Sequence, residues 1–113
     1  MALQIEKPSP FGVSAKYWRI VFYQYDLDKP EFVCVLHAYI DEQARCNGSK
    51  PLMEVHFTVR RERNGNEHTV KMYFGNETTM EGDTFVFPAE IDRIYLYDLL
   101  RNEVPFFTGA DDA

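Results

Sequence analysis

The sequence predicts an α+β domain that is mainly β, an antiparallel sheet or small sandwich of two hairpins with one C-terminal helix. Two stretches alternate apolar and polar side chains around turn residues, as half-buried hairpins do. The aromatic share is 15%, with nine Phe and seven Tyr, residues that suit a pleated surface better than a helix. Residues 89–102 contain no Gly or Pro and are long enough for about three or four helical turns.

The first hairpin spans residues 14–25 and 31–40. Asp26-Leu27-Asp28-Lys29-Pro30 supplies the turn chemistry, Asp for local side-chain bonds and Pro for a preset φ. Pairing Tyr25 with Glu31 sets Phe22 against Cys34, Ile20 against Leu36, and the bulky Trp18 against the small Ala38. The reverse face then pairs Val21 with Val35, Arg19 with His37, and Tyr17 with Tyr39. Because both faces carry apolar side chains, a second layer is expected over the second one: the other hairpin, the C-terminal segment or a neighbouring subunit.

Asp41–Gly48 reads as a linker with a single helical turn, stopped by Asn47-Gly48. The second hairpin spans residues 53–61 and 66–74. If Asn64-Gly65 supplies its turn, Val59 faces Val70, Phe57 faces Met72 and Val55 faces Phe74. The opposite face then pairs Arg60 with Thr69, Thr58 with Lys71, and His56 with Tyr73, and a one-residue slip exposes the apolar set.

Beyond it, Gly75–Asp83 is polar and reads as loop, and residues 84–87 read as a short strand ended by Pro88. Residues 89–102 read as helix, although Asp98 falls between Ile91 and Ile94 on the apolar side of the wheel, and a strand through Arg93–Tyr97 is the rival. Pro105 ends regular structure. The adjacent Phe106 and Phe107 are expected to dock onto this fold or another molecule. The chain is expected to form one domain over residues 1–113, with flexible termini at about 1–11 and 108–113.

No apolar run approaches the length of about 20 residues that a membrane helix needs, and residues 1–15 lack the pattern of a secretory signal. A soluble protein with no membrane partner is expected. Cys34 lies in an apolar strand pattern and Cys46 in a polar linker, so both are read as free thiols. The net charge of −6 is uneven: residues 1–71 carry ten basic and nine acidic side chains, residues 73–113 two and nine. Nucleic acid is a poor partner for the second part.

His37, His56 and His68 are the natural candidates for catalysis or metal binding, but in these registers they do not converge. His37 opposes Arg19, His68 opposes Arg61 and His56 opposes Tyr73, and a guanidinium beside an imidazole disfavours both protonation and a metal cation. The carboxylates flanking turns, Asp26 with Asp28 and Glu81 with Asp83, are explained by turn chemistry. No Gly-x-Ser-x-Gly elbow, glycine-rich phosphate loop or calcium loop is present. No catalytic, cofactor or metal residues are assigned, and no enzyme activity is expected.

Arg60, Arg61 and Arg63 form a basic cluster at the second hairpin, with Arg19 and Lys71 as possible neighbours, interrupted by Glu62 and Glu67. Contact with an acidic protein surface, such as the acidic C-terminal third of another copy, fits it better than phosphate binding. A rival reading makes the second face of the first hairpin a small-ligand pocket, with Tyr17, Arg19, His37 and Tyr39 as polar handles.

Three stretches resemble small phage and prophage virion proteins, particularly those of the tail region. They are Gly12-Val13-Ser14-Ala15-Lys16-Tyr17-Trp18-Arg19-Ile20, the run from Ala38-Tyr39-Ile40 through Ala44-Arg45 to Lys50-Pro51-Leu52, and Pro105-Phe106-Phe107-Thr108-Gly109-Ala110-Asp111. Together they cover about a third of the chain. The resemblance implies a non-enzymatic structural or assembly protein, in the cytoplasm of a bacterial host or in the virion, whose partners are itself or other virion proteins. The residue patterns supply the candidate contacts: Tyr17, Arg19, Val21, Val35, His37, Tyr39, Arg60, Arg61, Arg63, Phe106 and Phe107.

Overall fold

A computed structural model of the chain describes residues 2–82 and 85–113. Strands β1 (Leu3–Pro8), β2 (Ser14–Asp26), β3 (Glu31–Tyr39), β4 (Met53–Asn64), β5 (Glu67–Phe74), β6 (Glu77–Gly82) and β7 (Asp111–Asp112) form one antiparallel sheet. Their order is β6-β5-β4-β3-β2-β1-β7. The sheet curls as a half-barrel, and its two hairpins lie side by side through β3 and β4 rather than stacking as a sandwich. A short helix α1 (Glu42–Cys46) links them, and α2 (Arg93–Glu103) and a 3-10 turn (Pro105–Phe107) cover one face.

That face holds the core. Trp18 and Ile20 of β2, Phe32, Cys34, Leu36 and Ala38 of β3, Phe57 and Val59 of β4, and Val70, Met72 and Phe74 of β5 are buried against Leu96, Tyr97 and Leu100 of α2, with Val104 and Phe107. Phe106 and Phe107 stand edge-on to Trp18, at 5.1 and 5.6 Å between centroids. The terminal pair therefore docks onto its own fold. Each such buried large side chain is worth about 1.5–3 kcal/mol.

The first hairpin follows the expected register from Tyr17–Tyr39 to Ile20–Leu36 and then departs from it. A β-bulge at Val21 puts Phe22 opposite Val35, Tyr23 opposite Cys34 and Tyr25 opposite Phe32. One inserted residue reverses the facing of everything beyond it. Phe22, expected in the core, is turned out and is 52% exposed. Tyr25, expected on the reverse face, packs edge-on to Phe32 and donates to the Pro88 carbonyl at 2.6 Å. The buried Tyr97 hydroxyl accepts the Ile20 N–H at 2.8 Å, beside the bulge.

The second hairpin is displaced from the expected pairing by a shift of the turn. Phe57 faces Phe74, Val59 faces Met72 and Arg61 faces Val70, because Gly65 and Asn66, not Asn64 and Gly65, form the loop. Gly65 alone takes positive φ, at 64°, as its place at the first central position of a II′ turn requires. The partner sum changes by two, so each side chain keeps its face although it changes its partner.

Three further differences concern elements. Gly75–Gly82 is not a loop: Gly75, at φ 63°, and Asn76 form a turn into β6, which pairs with β5; Asp83 lies outside the described residues. The short strand over 84–87 is not formed over Phe85–Phe87, and Thr84 lies outside the described residues. Phe85 and Phe87 instead pack on Phe32 from irregular chain. The termini expected to be flexible contribute β1, paired to β2, and β7, paired to β1.

The helical expectations hold with altered bounds. α1 begins where Asp41 Oδ1 accepts the Ala44 N–H at 2.8 Å and stops at Gly48, whose φ of 76° admits the reversal. α2 starts at Arg93, not residue 89, because Asp92 caps it by accepting the Tyr95 N–H at 2.8 Å. Its buried side is Leu96, Tyr97 and Leu100, so Asp98 and Ile94 share the exposed side. Asp98 is no misfit, because the buried stripe runs through Leu96, Tyr97 and Leu100 rather than Ile91 and Ile94. The rival strand through Arg93–Tyr97 is not formed.

Candidate functional site

Among the described residues no helix or strand covers the second face of the sheet. Its side chains fall into rows set by strand register. Arg19, His37 and Glu54 form one row across β2, β3 and β4; Phe22, Val35 and His56 form the next. Gln24, Val33, Thr58, Tyr73 and Thr78 follow, and then Asp26, Glu31, Arg60, Lys71 and Glu81. Alternation in each strand makes this arrangement obligatory once the opposite face is closed.

At one end Tyr17 and Tyr39, 6% and 8% exposed, pack edge-on at 6.3 Å between centroids and bury Ala2 with them. Arg19 lies beside His37, as the sequence predicts. His37 Nε2 is 2.9 Å from Glu54 Oε1, and His56 Nε2 is 3.4 Å from Glu54 Oε2. The expectation that the histidines stay apart therefore fails for two of the three. β3 is hydrogen-bonded to β4, which puts His37 opposite Glu54 and Val35 opposite His56, an adjacency that reading each hairpin alone does not supply. His68 lies apart, opposite Arg63 rather than Arg61, and Thr58 rather than His56 faces Tyr73. Bonding to His37 first, and to His56 second, holds the Glu54 carboxyl below the usual range. Among the described residues no group of three or more His, Cys, Asp and Glu is placed to hold a metal ion.

The basic cluster is divided. Arg60 lies on the open face, its guanidinium 4.8 Å from the centre of the Tyr73 ring and 2.8 Å from Glu62 Oε1. Glu62 also takes Lys71 at 3.0 Å and the Tyr73 hydroxyl at 3.0 Å, which lower its pKa, Lys71 most. Arg61 lies over the Phe87 ring at 5.6 Å, and Arg63 donates to the Gly65 carbonyl. The three arginines do not form one patch, because strand neighbours point to opposite faces.

Between these regions Val21, Val33 and Val35 are half-buried and Phe22 is exposed. A shallow cleft of about 360 Å³ opens on the same face, lined by Gln24, Asp26, Lys29, Glu31, Val33, Thr58 and Arg60. Of the contact residues predicted from sequence, Arg19, Val21, Val35, His37 and Arg60 are on this face and accessible, while Tyr17 and Tyr39 are nearly covered by each other and Phe107 is fully buried in the core. The sequence reading missed Phe22, Val33, Glu54 and Tyr73 as members. Glu54 and His56, two apart in one strand, carried a legible signal of a shared face.

No family model matches the chain, and neither the curated proteins nor the solved structures provide a match. No helix among the described residues is long and apolar enough to cross a membrane.

Proposed function

We propose that this chain is a non-enzymatic interaction domain that acts through its open sheet face, as a structural or assembly component of a phage or prophage virion, in the tail region. The observation that carries the reading is the cluster of Phe22, Val33 and Val35, set in two neighbouring rows of the central strands and left without a covering helix or strand among the described residues. Exposed apolar side chains rimmed by charged and polar ones mark protein contacts. The rim here is Arg19, Glu54, Arg60 and Lys71. The resemblance of three stretches of the sequence to virion proteins points the same way.

The rival small-ligand reading needs Tyr17, Arg19, His37 and Tyr39 to surround a cavity. Against it, the two tyrosine rings pack on each other and His37 is engaged by Glu54, while the cleft on this face opens around other residues. The proposal is tested by purifying particles from a host that carries the gene with an affinity tag. The chain is expected to co-purify with virion proteins, or with their assembly intermediates, and to lose that association on Val35→Glu. Absence of association in both particles and intermediates overturns the reading.

A further inference from the structure

We infer that the occupant of the open face is a second copy of this chain, packed face to face about a two-fold axis that runs along the strands midway between β3 and β4. The inference rests on the interaction reading above and names its partner. It follows from how charge is distributed about that line. In the row Asp26, Glu31, Arg60, Lys71, Glu81 the four inner strands divide by charge, acidic on β2 and β3 and basic on β4 and β5, while Glu81 at the β6 edge lies 4.0 Å from Lys71 of its own chain. A two-fold along the strands lays β3 over β4 of the second copy and β2 over its β5 while keeping every row at its own level. Glu31 then meets Arg60 of the second copy, and Asp26 meets its Lys71.

The other rows agree. His37 meets Glu54 of the second copy, Val33 meets Thr58 and Val35 meets His56, with the valines closest to the axis. The cleft runs from β2 across β3 to β4, with Gln24 and Asp26 on β2, Glu31 and Val33 on β3 and Thr58 and Arg60 on β4, so the Arg60 guanidinium of the second copy, laid over β3, meets its acidic part. Glu62 lies a row beyond, toward the hairpin tip, where it pairs with Arg60 and Lys71 of its own chain.

An isologous interface requires a surface complementary to itself across the axis, and opposite signs at mirrored positions, Glu31 with Arg60 in one row and His37 with Glu54 in another, meet that requirement. A uniformly acidic partner would instead confront Asp26 and Glu31, and a uniformly basic one Arg60 and Lys71. Two twisted sheets packed in alignment cross at about 30°, which keeps the inner strands β3 and β4 in contact and splays the outer ones.

The test uses the full chain in sedimentation equilibrium over a concentration series, with circular dichroism to check each variant's fold. The wild type is expected to be a reversible dimer. Glu31→Lys and Arg60→Glu are each expected to weaken self-association by about tenfold or more. Mixed together they are expected to recover affinity near wild type, because the new lysine of one chain faces the new glutamate of the other and the second pair is native. Contacts within one chain cannot produce that recovery. Val35→Glu, central on the face and remote from both charges, is expected to give a monomer independently. A wild type that stays monomeric throughout the series, a mixture that stays dissociated, or a Val35→Glu dimer of unchanged affinity overturns the inference. If any of these is found while the chain still co-purifies with virion proteins, the interaction reading stands with a different occupant.

Discussion

On the closed face of the sheet, Trp18, Ile20, Leu36, Phe57 and Met72 are sealed beneath α2 and the Pro105–Phe107 turn; on the open face the same strands present Phe22, Val33, Val35, Arg60 and Lys71, over which no helix or strand of the described residues lies. Both faces contain valines and aromatics, so composition does not separate them. What separates them is the C-terminal segment, long enough to cover one side, and the bulge at Val21, which moves Tyr25 under that cover and Phe22 out of it. The core is thereby assigned to one side of the strands, and the proposed contact surface to the other.

The two faces should differ most under truncation of matched aromatics. Phe107→Ala removes a fully buried ring packed on Trp18 and Phe74, and a loss of about 3–5 kcal/mol in urea unfolding is expected. Phe22→Ala on the open face is expected to change unfolding of the dilute protein by no more than about 0.5 kcal/mol. Equal losses at the two sites would erase the distinction between the faces.

A smaller effect is expected at the bulge. Tyr97→Phe keeps the ring but leaves the Ile20 N–H without the Tyr97 hydroxyl, at a cost of about 1–3 kcal/mol. Hydrogen exchange at Ile20 should accelerate in that variant.

Cys34 is buried on the closed face and Cys46 is exposed, so a disulfide reagent should modify Cys46 at once and Cys34 only as the sheet opens. Burial pushes the Cys34 thiol from 9.0 up to about 12. Between these values the folded chain keeps a proton that the unfolded chain gives up, so stability falls as pH rises through the window. Cys34→Ala should flatten that alkaline limb.

The least effect is expected at Glu54, exposed on the open face. Its carboxyl is held below the usual range by His37 and His56, so the folded form releases the proton more readily than the unfolded chain does. That contribution is present above the ordinary carboxylate range and is lost as pH falls through the lowered value. Glu54→Gln should lower the neutral-pH unfolding midpoint slightly, leave stability below the lowered value unchanged, and so flatten the acid limb.

Strand alternation was legible wherever one residue type repeated every second position. Phe32, Cys34, Leu36 and Ala38 lie on the core side as their spacing requires, and the Asp41 and Asn47-Gly48 signals bound α1 correctly. Pairings such as Trp18 with Ala38 follow from complementary size. The candidate site was legible in part: Arg19 beside His37 follows from one hairpin, whereas His37 beside Glu54 requires knowing that β3 neighbours β4. β1 and β6 escaped because Leu3–Pro8 and Glu77–Gly82 are short, polar at alternate or most positions, and take their strand form from pairing with an existing edge.

The chain's local chemistry thus determined its strand-rich class, the faces of β3, β4 and β5, and the capping of its helices, since these depend on neighbours within a few residues. Tertiary structure alone decided that the hairpins join edge to edge, that Val21 bulges, and which face the C-terminal segment closes. Those outcomes depend on competition among distant segments for the same apolar surface, and the balance is struck only when they all meet in space.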